Sequence, residues 1–158
     1  MTKPILSIKN LSKSFGDQKV LEHLNMEITP GEIYGFLGVN GAGKSTVMKI
    51  ILGLLSKDKG EIVALGHSLP QERSQVLHVI GALIEEPSFY PNLTGYENLQ
   101  MIQELASLPK ENIKVAMEAT GIYYAKDKLV RNYSLGMKQR LGISMALIKF
   151  PKILILDE

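Results

Sequence analysis

The sequence predicts an α/β fold, and three observations carry that prediction. A glycine-rich turn, "GVNGAGKST" at residues 38–46, lies between the apolar stretches "EIYGFL" and "VMKIILGLL". Apolar and polar residues alternate before this turn, and the continuous apolar run "KILILDE" occupies residues 152–158. Alternation is typical of half-buried antiparallel strands, whereas a continuous apolar run is typical of a strand in a parallel sheet. We therefore expect an antiparallel β layer and a parallel-sheet core.

The first half of the sequence supplies the β layer and the glycine turn. The stretches "ILSIKNLSKSF" and "KVLEHLNMEITPGEIYGFL" are broken by Gly16-Asp17 and Pro30-Gly31, which predicts strands joined by turns. We expect a strand over residues 32–37 to enter the glycine turn and a helix over residues 44–55 to leave it. "KGEIVALG" and "HVIGALIEE" predict two further strands.

The second half of the sequence predicts helices followed by one strand. A loop over residues 85–93 precedes a capping box, Thr94 and Glu97, which marks the first turn of a helix. A second helix is expected over residues 111–120, and a third is expected after Ser134. "KILILDE" predicts a strand buried on both faces of a parallel sheet.

Length and composition limit the classes of protein that the sequence fits. A chain of 158 residues with 45% apolar and 22% charged residues predicts one folded domain rather than a disordered tail. Lys and Arg number 18 against 16 acidic residues, without a basic cluster, so we expect no nucleic-acid partner. The absence of cysteine excludes disulfides and thiolate metal sites and fits a cytosolic protein. No apolar run approaches the roughly 20 residues of a membrane span, so we expect none.

The glycine turn has the pattern G-x-x-x-x-G-K-[ST], which predicts a nucleoside-triphosphate site. Glycines allow successive backbone N–H groups to point inward at a helix N-terminus and bind phosphate. Lys44 adds a positive charge toward the β- and γ-phosphates, and the Ser45 hydroxyl is placed to bind Mg²⁺. The alternative is a flexible glycine turn with a solvated lysine. The residues expected to contact the nucleotide here are Gly38, Val39, Asn40, Gly41, Ala42, Gly43, Lys44, Ser45 and Thr46.

Two carboxylates follow the last apolar run. Asp157 comes at the carboxyl end of the predicted strand, where ligands of open α/β sheets bind, and is expected to hold Mg²⁺ through water. Glu158 follows it and is placed to polarise the attacking water as a general base. The catalytic residues expected are therefore Lys44 and Glu158. The alternative is an acidic strand end that faces solvent.

A third motif makes a family resemblance specific. "NYSLGMKQRLGISMAL" places Ser134 and Gly136 at a helix N-terminus, another anion-receptive end. The phosphate loop, this helix start and the final Asp-Glu strand, in this order, resemble the ATPase domain of ABC transporters. The usual signature of that family is L-S-G-G-Q; residues 133–137 match its serine and second glycine and depart at three positions.

The resemblance implies a fold and further site residues. The fold is a RecA-like P-loop NTPase with an N-terminal antiparallel β layer and an inserted helical subdomain, incomplete at the C-terminus. Within one domain, residues 1–85 would form the β layer and nucleotide-binding core, residues 86–134 the helical subdomain, and residues 135–158 the signature helix and final strand. Phe15 matches the aromatic residue that stacks on adenine; the alternative is a phenylalanine packed in the β layer. Glu85 stands where most members have a glutamine that senses Mg²⁺ and contacts the membrane partner; the alternative is a solvated loop charge.

The combination of Glu85 with "SLGMKQRLGI" is similar to the bacitracin-export and lantibiotic-immunity branch of the family. That branch implies ATP and Mg²⁺ as cofactors, multi-pass membrane permease subunits as partners, and a place on the cytoplasmic face of the membrane. It also implies a second ATPase subunit in a head-to-tail dimer, each phosphate loop facing the partner's Ser134-Gly136 helix start. The exported substrate would be a peptide antibiotic.

Two other functions stay open at this point. One is a soluble ABC-type ATPase acting on chromosomes or ribosomes, although the helical stretch is short for a chromosome-type coiled coil. The other is a non-catalytic remnant, because the family continues with another strand and a switch histidine. His23, His67 and His78 all precede the signature, so none matches that histidine. We expect residues 1–158 alone to fold poorly and not to hydrolyse ATP.

Overall fold

The computed structural model describes residues 3–39, 41–85 and 87–157. The chain divides into two compact units, residues 1–77 and residues 78–158. The glycine turn belongs to the first unit, and the signature helix and the final strand belong to the second.

The first unit is an antiparallel sheet with one helix. The elements are β1 Leu6–Phe15, β2 Gln18–Ile28, α1 Lys44–Ile51, β3 Lys59–Ala64 and β4 His67–Leu69. The strands run in the order β2-β1-β3-β4, and each pairs with its neighbour in antiparallel fashion. Leu6 and Ile8 of β1 are buried in alternation, and a register shift after Ile8 moves the next buried residue to Leu11. The predicted antiparallel β layer is therefore confirmed.

Two predictions around the glycine turn are wrong. Residues 32–39 form no strand, and none of the described strands pairs with them. Ile33 and Leu37 are 99% and 94% exposed, since an apolar run becomes a strand only where a neighbouring strand completes its hydrogen bonds. Helix α1 also ends four residues earlier than expected, because Gly53 takes a left-handed conformation at φ 72° directly after Leu52.

The second unit packs three helices with a short parallel sheet. The elements are β5 Ile80–Leu83, α2 Gly95–Leu105, α3 Glu111–Ala119, α4 Leu135–Leu147 and β6 Ile153–Leu156. Strands β5 and β6 pair in parallel, from Ile80 opposite Ile153 to Leu83 opposite Leu156, which confirms the predicted parallel sheet. The capping box is also confirmed: Thr94 Oγ1 accepts the Glu97 N–H at 3.1 Å, and the Glu97 carboxylate accepts the Thr94 N–H at 2.7 Å.

Strand β6 is buried on one face only, contrary to the prediction. Ile155 is buried, whereas Leu154 and Leu156 are 40% and 44% exposed. Within the described part of the chain, β6 pairs with β5 alone. Across the described ranges, no helix combines the length and the apolar character that crossing a membrane requires.

Candidate functional site

The glycine turn of the first unit has the backbone shape of an anion site. Gly41 and Gly43 have φ values of 84° and 85°, and the Ala42 N–H donates to the Val39 carbonyl at 3.0 Å. Helix α1 starts directly after Gly43, which supplies no side-chain cap, and its first turn contains no acidic residue. The positive end of the helix therefore faces the turn without a carboxylate to compete with a bound anion.

The two glycines differ in what lies behind them. A Cβ atom on Gly43 would lie 2.7 Å from Leu21 Cδ2 and 3.1 Å from the Val20 carbonyl oxygen. A Cβ atom on Gly41 would meet no atom within 4 Å. Strand β2 therefore supports the start of α1 from behind, and Gly41 borders open space.

Lys44 reaches back across the turn. Its Nζ donates to the Gly38 carbonyl at 2.6 Å and lies 3.4 Å from the Val39 carbonyl. The ammonium is thus already held over the turn, while Ser45 and Thr46 are half-buried in the first turn of α1. Positive-φ glycines, an uncapped helix start and a positioned lysine together fit a polyphosphate. Asn40 lies outside the described residues.

Phe15 ends β1 in the same unit, directly before the turn to β2. Its side chain is 48% exposed, so it is not the packed core phenylalanine of the alternative interpretation. Lys13 Nζ lies 5.5 Å from the ring centroid. An accessible ring is what base stacking requires, and the adenine-binding role of Phe15 stays a prediction.

The second unit brings Glu85 and Asp157 to one edge of its sheet. Asp157 follows β6, and its N–H donates to the Leu83 carbonyl at 2.8 Å, which extends the pairing of the two strand ends. Glu85 follows β5 with a left-handed φ of 65°, a conformation that costs a non-glycine residue about 1 to 3 kcal/mol and is often found at functional sites. Both residues line a groove of about 820 Å³ together with Lys138 and Gln139 of α4.

Metal binding at these positions stays a prediction. No group of three or more His, Asp or Glu side chains in the described ranges is arranged to hold a metal ion. Magnesium bound to a nucleotide usually keeps several waters and takes only one or two protein ligands, so such a cluster is not required. Glu158, the expected general base, lies outside the described residues.

The signature region forms the exposed start of α4. Ser134 is the N-cap, and its Oγ accepts the Met137 N–H at 3.3 Å. A Cβ atom on Gly136 would meet nothing within 4 Å, and both residues are exposed. The first turn of α4 contains no acidic residue, so this helix start also presents a positive end to solvent.

Sequence reasoning missed three residues that hold the candidate sites in place. Tyr133 is buried, and its hydroxyl donates to the Ala125 carbonyl at 2.6 Å; burial raises the pKa of this tyrosine. Asn98 is buried and bonds both the N–H and the carbonyl of Tyr90, which fixes the loop before α2. Lys13 is buried beside Phe15. No motif marks Asn98, and only its place in the alternating pattern of β1 distinguishes Lys13.

Comparisons with known proteins agree with the resemblance. A model of the ABC transporter family matches residues 21–158. The chain is 43% identical over 155 residues to the bacitracin transport ATP-binding protein BcrA of Bacillus licheniformis, covering 98% of this chain and 51% of that protein. It is 42% identical over 154 residues to the lantibiotic transport ATP-binding protein SrtF of Streptococcus pyogenes, covering 98% and 66%.

Solved structures show the same fold. Among them is cbiO1 from Clostridium perfringens, part of the ABC transporter complex cbiONQ, with a TM-score of 0.87 at 29% identity, covering 98% of this chain and 65% of that chain. The chain thus spans about half to two thirds of the length of the relatives it matches. The predicted P-loop fold and family are confirmed, and the chain belongs to the ABC transporter family, where it is related to the ATP-binding proteins.

Proposed function

We propose that the chain is the ATP-binding part of an ABC exporter subunit, which couples ATP hydrolysis to the export of a peptide antibiotic of the bacitracin or lantibiotic type. The glycine turn carries this proposal: two positive-φ glycines and Lys44 are arranged around an uncapped helix start. Two relatives with about 42% identity, named for bacitracin and lantibiotic transport, support the choice of substrate class.

In this proposal the phosphate loop binds the triphosphate and the Phe15 ring stacks on adenine. Lys44 would exchange its hydrogen bonds to the loop carbonyls for bonds to the β- and γ-phosphates, and the Ser45 hydroxyl would help to hold Mg²⁺, which would neutralise part of the triphosphate charge. Asp157 and Glu85 of the second unit would hold Mg²⁺ through water. Glu158 accepts a proton from the attacking water as it reaches the γ-phosphate.

The exposed surfaces of the second unit support the partners that we propose. The Ser134-Gly136 helix start would close on the nucleotide of a second ATPase subunit, because an exposed positive helix end suits a phosphate that another subunit holds. Residues 87–96 would receive a cytoplasmic loop of a multi-pass permease, beside the groove that Glu85 lines. The subunit would thus lie on the cytoplasmic face of the membrane, without a nucleic-acid partner.

Nucleotide binding by the full-length protein tests the phosphate loop. We expect Lys44→Ala to lower ATP affinity at least about tenfold in calorimetric titrations, since charge-assisted hydrogen bonds are worth about 1.5 to 3 kcal/mol. Lys19→Ala is the matched control, because Lys19 is an exposed lysine of β2 paired with Glu22. Wild-type affinity in Lys44→Ala would contradict the proposal. Glu158→Gln should bind ATP and lose phosphate release.

Co-expression with the permease tests the transport role. We expect cells that carry both to survive higher concentrations of bacitracin or a lantibiotic, and Glu158→Gln to remove the protection while the complex still forms. A pull-down that recovers ribosomes or DNA, and no multi-pass membrane protein, would favour a soluble ATPase instead.

A further inference from the structure

Lys13 is a nearly buried cation on the inner face of the β layer. It continues the series of buried β1 side chains formed by Leu6, Ile8 and Leu11, and it is 8% exposed. A lysine is rarely buried to this extent unless a partner compensates its charge. Its position therefore requires a reason beyond the packing of the sheet.

The partner is Asp58, in the loop between α1 and β3. Lys13 Nζ donates to Asp58 Oδ1 at 2.9 Å, and the Ser14 N–H donates to Asp58 Oδ2 at 2.7 Å. The Asp58 N–H in turn donates to the Ser12 carbonyl at 3.1 Å. The hydrogen bond from Lys13 and that from the Ser14 N–H lower the pKa of Asp58. Three consecutive residues of β1 are thus fixed to one aspartate, immediately before Phe15.

The same ammonium lies 5.5 Å from the centroid of the Phe15 ring. A cation on one face of an aromatic ring is attracted to its electron density and restrains the ring. It also leaves the opposite face for another planar group and makes that face less electron-rich, which favours stacking with an electron-rich purine. The ring is half-exposed, so such a group can reach it.

We infer that Lys13 and Asp58 are positioning residues for the base: Asp58 fixes the Lys13 ammonium, and the ammonium sets the Phe15 ring for stacking on adenine. This inference rests on the proposed ATP site and extends it, because it assigns part of the binding of the base to a pair of residues outside the phosphate loop.

Comparison of two ligands separates this role from a general effect on folding. We would titrate the full-length protein with MgATP and with magnesium tripolyphosphate, which has the phosphates and lacks the base. Lys13→Met should lower ATP affinity about threefold to fivefold, the range for a single cation–π contact, and change tripolyphosphate affinity less than about twofold. Lys13→Arg should restore ATP affinity, since arginine keeps the charge and stacks on aromatic faces.

Phe15→Ala gives the double-mutant control. It should lower ATP affinity about tenfold, as expected for a lost base stack, and Lys13→Met should then cause no further loss. If Lys13→Met does not fold, we would use Asp58→Asn in its place. The asparagine amide oxygen can still accept the Ser14 N–H, while the negative charge that fixes the Lys13 ammonium is removed.

Three results would overturn the inference. One is an equal loss of ATP and tripolyphosphate affinity, which would mean a structural role only. Another is an undiminished effect of Lys13→Met in the Phe15→Ala background. The third is equally tight binding of tripolyphosphate and ATP by the wild-type protein, which would show that the base makes no contact while the phosphate loop still binds phosphates. Failure to bind either ligand would instead refute the proposed function itself.

Discussion

Alanine variants of Gly41 and Gly43 distinguish the effect of the glycine turn on stability from its effect on ATP binding. Both residues have φ near 85°, so alanine at either position adopts a left-handed backbone at a cost of about 1 to 2 kcal/mol. Alanine also lowers the conformational entropy of the unfolded chain, which offsets about 0.4 to 1 kcal/mol of this loss in the free energy of unfolding. For Gly41→Ala, whose Cβ meets no atom within 4 Å, the free energy of unfolding should therefore fall by about 1 kcal/mol.

Gly43→Ala carries an additional packing cost. Its Cβ would lie 2.7 Å from Leu21 Cδ2 and 3.1 Å from the Val20 carbonyl, and the backbone oxygen cannot move without disturbing β2. Overpacking of this kind costs about 1 to 3 kcal/mol. The free energy of unfolding should fall by about 2 to 4 kcal/mol in total, measured as a shift of the urea midpoint by circular dichroism.

For ATP affinity, in contrast to stability, we expect the larger loss in Gly41→Ala. The space in front of Gly41 is where the proposed site places phosphate, so Gly41→Ala should lower ATP affinity at least about tenfold while the protein stays close to wild-type stability. Two results would refute this reasoning: equal loss of unfolding free energy in the two variants, or wild-type ATP affinity in Gly41→Ala.

Two further predictions concern the second unit. Asn98→Ala removes two bonds to the Tyr90 backbone and should lower the unfolding free energy by about 2 to 3 kcal/mol; an unchanged urea midpoint would argue against this clamp. Tyr133→Phe removes the bond to the Ala125 carbonyl and should cost about 1 kcal/mol near neutral pH. Burial raises the pKa of Tyr133 above 10.0, so its stabilising effect is complete below that pH and is lost as the pH rises through the higher folded-state value. The wild-type unfolding free energy should therefore fall more steeply above pH 10 than that of Tyr133→Phe, and parallel curves would contradict the assignment.

Local signals in the sequence predicted the elements whose causes are local. The capping box at Thr94 and Glu97 needs only residues three apart, and both of its hydrogen bonds are present. The alternation in β1 predicted the burial of Leu6 and Ile8, because side chains of a strand point to opposite sides in turn, although a register shift after Ile8 interrupts the pattern. The glycines of the phosphate loop predicted a turn that needs residues without a side chain, and Gly41 and Gly43 have the positive φ values that favour glycine.

Features that depend on distant partners were not predictable in the same way. Residues 32–37 have the composition of a strand, yet a strand also needs a neighbour, and none of the described strands supplies one. The sequence places Lys13 in the alternating pattern of β1 and gives no partner for its charge; its burial is explained only when the fold brings Asp58 beside it. Composition thus indicates where a segment is apolar, whereas pairing and charge compensation are decided by residues far along the chain.

At the start of α4, the residue that departs from the usual L-S-G-G-Q signature at position 133 packs in the core, whereas the two residues that match the signature are on the surface. Tyr133 takes the leucine position, and it is a core residue whose hydroxyl bonds the Ala125 carbonyl and leaves no room for a side chain at Gly95. Ser134 and Gly136, the two matching residues, are the exposed cap and an open position of the first turn. Tyr133 therefore anchors the start of the helix in the core and leaves Ser134 and Gly136 exposed, where the proposed dimer would place a partner's phosphate. The anion-receptive end is retained because its N–H groups and dipole belong to the backbone, and these depend on the cap more than on the neighbouring side chains.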